Sequence, residues 1–245
     1  MAQQRAMDAA PWGWRPVLIP CLALVVLVVA GSVLTHLIRP STFDGQLAWA
    51  VTANVAAQGL LAAAIWFAGR DIAARYGGWG PAFGWRRPQL MDAAYAAVGV
   101  GVALIARIVV AVVANALTHG RAATESQNVH LHTASLAVVA LLVFVTVLCA
   151  PPIEELMFRG LLLRTFLRRI GFWPAALASS VVFGAFHTYE VNTLAGAITL
   201  ACSVGVMGLT NCVLVRLSDR VTPGIFVHAS LNGLAALVLI AQAGR

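Results

Sequence analysis

Glu154 and Glu155 stand side by side in the stretch Ala150-Pro151-Pro152-Ile153-Glu154-Glu155-Leu156-Met157-Phe158-Arg159-Gly160, and His187, His228 and Asn232 follow it in otherwise apolar sequence. Ionisable groups in such surroundings are costly to bury and mark functional sites by default. Glu155 and Arg159 are spaced i,i+4 and can pair on one helix face, which leaves Glu154, rotated by about 100°, to face something else. Phe183 with His187, and His228 with Asn232, share helix faces by the same spacing. A carboxylate and an imidazole at one depth can hold a water and take its proton. An imidazole and a carboxamide aimed at one space can stabilise an oxyanion, where one donor is typically worth about 2.7–4 kcal/mol. Water attack on a peptide carbonyl uses all of these roles. Glu154, His187 and His228 also form a donor set for zinc with an open fourth position, so metal and metal-free mechanisms both stand at this point. Each cluster has a structural alternative: a charged interfacial turn, a packing histidine, or a bond between helices. No HExxH, no Gly-Asp or Tyr-Asp pair and no Gly-x-Ser-x-Gly occurs, so the zincin, intramembrane aspartyl and serine-elbow patterns are absent.

The elements that must position these residues follow from composition. Of 245 residues, 60% are hydrophobic and only 10% charged, against about a quarter charged in soluble domains. Too few polar residues remain to cover a soluble globule. The chain reads as all-α, a polytopic membrane helix bundle, and neither a nucleic-acid binder nor a disordered protein. Seven segments reach the length and apolarity of a span, roughly 17–38, 46–68, 90–117, 134–150, 174–189, 192–217 and 223–242. The first exceeds a signal-peptide core in length and reads as a retained anchor. The net charge is +7, and all 16 basic residues are Arg. With the N-terminus inside, 12 Arg fall in inner loops and only Arg39, Arg121 and Arg245 outside, which predicts an N-in, C-out bundle of about seven transmembrane helices. The Arg excess therefore orients helices rather than making a binding surface. Pro151 predicts a kink or restart of the fourth span, with Pro152 in a new first turn. If spans four and five turn near Gly171, Glu154 and His187 each lie about 25 Å from the turn, level with one another. The same arithmetic sets His228 closer to the inner side unless that hairpin protrudes.

Two divisions follow: residues 1–133, three accessory transmembrane helices with an Arg-, Gly- and Trp-rich cytoplasmic linker at 69–89, and residues 134–245, a four-helix core that holds every candidate site residue. Cys21, Cys149, Cys202 and Cys212 lie in apolar stretches and read as buried packing residues. His119, His130 and His132 in the outer loop read as solvated. Arg107, alone within the third span, is a candidate partner for a substrate carboxylate or a core Glu, with a structural ion pair or a cavity-facing position as the alternatives.

The ordered motifs EExxxR (Glu154, Glu155, Arg159), FxxxH (Phe183, His187) and HxxxN (His228, Asn232) on successive helices resemble the CAAX protease and bacteriocin-processing family of intramembrane endopeptidases, also called the Abi family. It includes Ras-converting-type CAAX proteases and proteins similar to lysostaphin resistance protein A. The resemblance covers about residues 134–240. It implies that Glu154 with His187 activates water, that His228 and Asn232 stabilise the oxyanion, and that Glu155 and Arg159, with Phe183, support the motif helices. Both metalloprotease and glutamate-dependent mechanisms have been argued for the family. The favoured reading here needs no cofactor, with zinc on Glu154, His187 and His228 as the alternative. The expected partners are the lipid bilayer and a membrane-associated peptide or protein substrate, and the expected location is a bacterial cytoplasmic membrane. Eukaryotic members trim prenylated tails, whereas bacterial members are linked to bacteriocin maturation, immunity or secretion. A non-catalytic scaffold or immunity factor on the same fold is the competing reading, and a proton-coupled transporter the third.

Overall fold

The computed structural model describes residues 12–38, 41–119, 135–188, 191 and 193–243. Among these residues there are eight helices and no strand. They are α1 (Arg15–Ile38), α2 (Phe43–Arg75), the short α3 (Trp79–Phe83), α4 (Leu90–Leu117), α5 (Leu136–Leu167), α6 (Phe172–Ala185), α7 (Leu194–Ser218) and α8 (Thr222–Ala243). Side-chain caps start several of them. Thr42, Ser135 and Thr193 accept from Gly45, Val138 and Gly196 at the heads of α2, α5 and α7, and Gln89 with Asp92 forms a reciprocal box at the head of α4. Five helices are long and apolar enough to cross a membrane: Gly45–Arg75, Leu90–Leu117, Leu136–Leu167, Leu194–Ser218 and Thr222–Ala241. Arg15–Gly31 and Phe172–Ala185 are shorter apolar helices. Large apolar side chains point outward along them, as Val98, Val102, Ile105, Val109 and Val112 do on α4. The protein is an integral, multi-pass helical membrane bundle. Seven spans and an N-in orientation remain a reading of hydropathy and loop charge.

At the centre lies α7, packed against α6 on one side and α4 on the other, and α8 closes against α4 and α5. Small residues permit the closest approaches. A Cβ on Gly184 would stand 2.2 Å from the Ala201 carbonyl oxygen, so α6 and α7 meet backbone to backbone there. Pro151 does not break α5. The helix runs on through two π-helical stretches, Phe144–Cys149 and Leu156–Leu163, with α-helical Ala150–Glu155 between them. In a π turn each N–H reaches five residues back, as Ala150 does to the Val145 carbonyl. Pro151 would be the next donor, to Thr146, and has no N–H to give. The Asn232 carboxamide of α8 donates to the Thr146 carbonyl instead, at 2.8 Å. A partner from a neighbouring helix thus lets the span continue, the usual means of tolerating proline within a membrane.

Residues 69–89, read as a linker, are folded. They complete α2, make a turn at Gly77 and Gly78, both at positive φ, and fold as α3 against α5. Gly69 admits the Trp79 ring, which a Cβ would meet at 2.8 Å, and Phe83 is fully buried. The same end of the bundle explains much of the Arg content. Asp219, in the left-handed conformation that ends α7, takes Arg164 at 2.7 Å and Arg86 at 3.1 Å. Arg220 pairs with Asp92 at 2.7 Å and also donates to the Arg87 carbonyl. Arg159, Arg164 and Arg220 are therefore buried partners of carboxylates as well as contributors to loop charge. All four cysteines are free, and Cys202 is exposed rather than buried. His130 and His132 lie outside the described residues, while His119 is exposed just past α4.

Candidate active site

Glu154 lies on the α-helical turn between the two π stretches of α5. Its Oε1 accepts from Gln58 Nε2 of α2 at 3.0 Å. Its Oε2 lies 3.8 Å from His187 Nε2 and 3.9 Å from His228 Nε2, and is buried without a hydrogen-bond partner among the described residues. These separations exceed a direct hydrogen bond. Both imidazoles are turned by their other nitrogen. His187 Nδ1 is 2.9 Å from the Phe183 carbonyl, and His228 Nδ1 is 3.2 Å from Glu155 Oε1. A carbonyl and a carboxylate can only accept, so each Nδ1 is the donor and each Nε2 is left facing Glu154. The Phe183 ring packs against both, with centroids 4.9 Å from His187 and 5.6 Å from His228.

Glu155 faces away, fully buried, and holds the assembly together. Besides His228, its Oε1 accepts from Asn211 Nδ2 at 2.9 Å, and its Oε2 lies 3.2 Å from Arg159 Nε. The Arg159 guanidinium stacks over Phe183 at 4.2 Å. Gly208 of α7 makes room for it, since a Cβ there would stand 2.7 Å from Arg159 Nη2. Gly224 does the same for Glu155 and Asn211.

The expected depth match between Glu154 and His187 holds, and the difficulty with His228 resolves. The α7–α8 turn is level with Arg164 through its pair with Asp219, and the α5–α6 hairpin protrudes beyond it to Gly171. From that level Glu154 and His228 are ten and nine residues away, or about 15 and 14 Å. His187 is not on a helix face as its spacing suggested. α6 ends at Ala185, and the His187 ring hydrogen-bonds back to the Phe183 carbonyl that a further turn would have used. Arg107 is half-buried and forms no hydrogen bond or ion pair among the described residues, so of the readings offered for it a pair with a core Glu is not formed.

A family model described as type II CAAX prenyl endopeptidase Rce1-like matches residues 135–234, the stretch that carries Glu154, His187 and His228. That segment is similar to the CAAX protease family. The chain is also 26% identical over 114 residues to a Bacillus subtilis protein named "Putative membrane peptidase YdiL". The match spans 46% of this chain and 43% of that relative, so the chain covers less than half of the relative's length. No solved structure matches it significantly. Both similarities are to membrane peptidases, and the family match falls on the half of the chain that carries Glu154.

Two residues at the candidate site lie outside the motifs that single it out in the sequence. Asn211 of α7 donates to Glu155 and to the Gly224 carbonyl. Gln58 of α2 lies beyond the matched segment altogether, so the first helices share the site rather than flank it. Both are carboxamides within apolar helices, a signal of the same kind that singles out Asn232. Asn232 itself has its carboxamide committed to the Thr146 carbonyl. As for zinc, no group of three His, Cys, Asp or Glu among the described residues is arranged to hold a metal ion. Glu154, His187 and His228 do come together, but the metalloprotease reading gains no support and no step is routed through a metal.

Proposed function

We propose that the protein is an intramembrane endopeptidase in which Glu154 is the general base. The observation that carries this reading is the convergence of one buried, unpartnered carboxylate oxygen with two imidazole Nε2 atoms, at 3.8 and 3.9 Å. A water between these atoms has two O–H groups to donate, one to Glu154 Oε2 and one to His187 Nε2. Gln58 takes up the other carboxylate oxygen, which keeps Oε2 aimed at the water. Glu154 removes a proton as the water oxygen attacks the substrate's peptide carbonyl, and His187 holds that water in line. His228, when protonated at Nε2, and the second N–H of Asn232 donate to the oxyanion. Collapse of the tetrahedral intermediate breaks the C–N bond, and the proton held by Glu154 passes to the leaving amine. Water is consumed, and a new carboxyl and a new amine terminus form. Glu155 acts through His228 as a positioning residue, with its charge balanced by Arg159. No cofactor enters this scheme.

The substrate is a membrane-associated peptide or protein whose cleavage site reaches the buried Glu154. Comparing new peptide termini in membranes that carry the wild type or Glu154→Ala tests the reading. Termini present only with the wild type, at equal amounts of inserted protein, are the expected result. Identical terminus profiles would leave a scaffold on the same fold as the better account.

A further inference from the structure

Gln58 is not isolated on α2. Asn54 precedes it by four residues and Ala62 follows by four, so the three form a single stripe on the helix. At Gln58 the stripe touches the general base. One turn further it lines a cavity of about 290 Å³ walled by Ala62, Trp66, Trp79, Trp85, Ile153 and Leu156. Ala62 lies one turn from Gln58, which bonds Glu154, so the cavity lies about one helical turn along the stripe from that contact. The two carboxamides have another property in common. Gln58 Oε1 and Asn54 Oδ1 are both buried acceptors without a hydrogen-bond partner among the described residues. Such groups are costly to leave unpaired and call for a donor.

The missing donors have the spacing of an extended peptide. Residues four apart on a helix are separated by about 6 Å along its axis. In an extended chain, N–H groups two residues apart point the same way and lie about 6.6 Å apart. A helical substrate segment has no free N–H to offer, because its amides are used internally. We propose that this stripe is the wall against which an unwound substrate lies. Asn54 Oδ1 and Gln58 Oε1 accept two alternate backbone N–H groups, and the tryptophan-walled cavity takes one bulky apolar side chain beside the scissile bond. The inference rests on the protease reading and adds its substrate class: an extended segment with a large apolar residue at one fixed position.

Short unmodified peptides cut by the purified protein in nanodiscs provide the test. One series varies a single position among Ala, Leu and Phe, and another is N-methylated at one amide at a time. The wild type prefers a bulky apolar residue at one position. Ala62→Phe fills the cavity and lowers kcat/KM for the bulky peptide about ten-fold or more relative to the Ala peptide. Ala62→Leu repeats the test with less bulk, should the larger side chain impair folding. N-methylation of one amide costs the wild type about ten-fold in kcat/KM and costs Gln58→Leu nothing further. A merely structural Gln58 would slow every peptide alike and leave the N-methyl penalty intact. The proposal is overturned if Ala62→Phe and Ala62→Leu slow all peptides in equal proportion, or if no single N-methylation matters. In either case cleavage still depends on Glu154. If instead Glu154→Ala cuts the peptides as well as the wild type does, the protease reading itself falls and takes the wall with it.

Discussion

Replacing Glu155 by Gln removes a charge while nearly preserving shape. The partner left behind, Arg159, has no exposed side-chain surface, and its three guanidinium nitrogens have no hydrogen-bond partner of regular geometry among the described residues. Its compensation is therefore the Glu155 carboxylate at 3.2 Å and the face of Phe183. At an effective dielectric constant of about 20, that separation corresponds to roughly 5 kcal/mol of attraction. Breaking one side of a buried pair generally costs about 3–5 kcal/mol. For a chain of this size the expected fall in melting temperature is about 6–20 °C, at roughly 2–4 °C per kcal/mol. Arg159→Met in the same chain removes the stranded cation, and a buried pair replaced by apolar groups is often close to neutral. The double variant Glu155→Gln, Arg159→Met should therefore regain at least half of the stability that Glu155→Gln loses. It should not regain activity, because His228 Nδ1 has lost its carboxylate. Thermal unfolding of the purified proteins in one detergent, followed by tryptophan fluorescence, measures all four corners of the cycle. Strict additivity, within about 0.5 kcal/mol, would refute the idea that Arg159 exists to balance Glu155.

Asn232→Leu strands the Thr146 carbonyl and should cost about 1–3 kcal/mol. Pro151→Ala supplies the missing N–H, so in that background Asn232→Leu should cost measurably less in the same melting assay. Gly208→Ala drives a methyl against Arg159 Nη2 and Phe183 and should destabilise by about 1–3 kcal/mol, with little further effect once Arg159 is Met. Prolonged chelation followed by gel filtration should leave cleavage unchanged, and activity restored specifically by added zinc would contradict the metal-free scheme.

The fold class and the meeting of Glu154 with His187 were legible because they rest on local facts, whereas the approach of His228 depends on how far the hairpin at Gly171 protrudes. Apolar runs of spanning length identify membrane helices, and two residues equally far from a hairpin turn must come level. The i,i+4 pairing of Glu155 with Arg159 is equally local, and it forms. What escaped depends on contacts between distant segments. Gln58 precedes Glu154 by 96 residues and Asn211 follows Glu155 by 56, and neither spacing encodes contact. Their signal was only that a carboxamide stood in an apolar helix. Pro151 read as a kink or restart because proline is normally judged against an α-helical ladder. A π stretch with a donor from α8 satisfies the same carbonyl another way. The Arg residues read as topology signals included Arg164 and Arg220. Their carboxylates, Asp219 and Asp92, are supplied by different helices, and only packing reveals the pairs.

The central claim is that Glu154 activates the attacking water. Its most direct measurement is kcat of Glu154→Gln against wild type, on a substrate identified from the membrane comparison and at matched melting temperature. Gln keeps the size and the bond to Gln58 but cannot accept a proton, so kcat should fall about 10²–10⁴-fold with the fold intact. A Glu154→Gln protein that is equally stable and turns over at the wild-type rate would contradict the account.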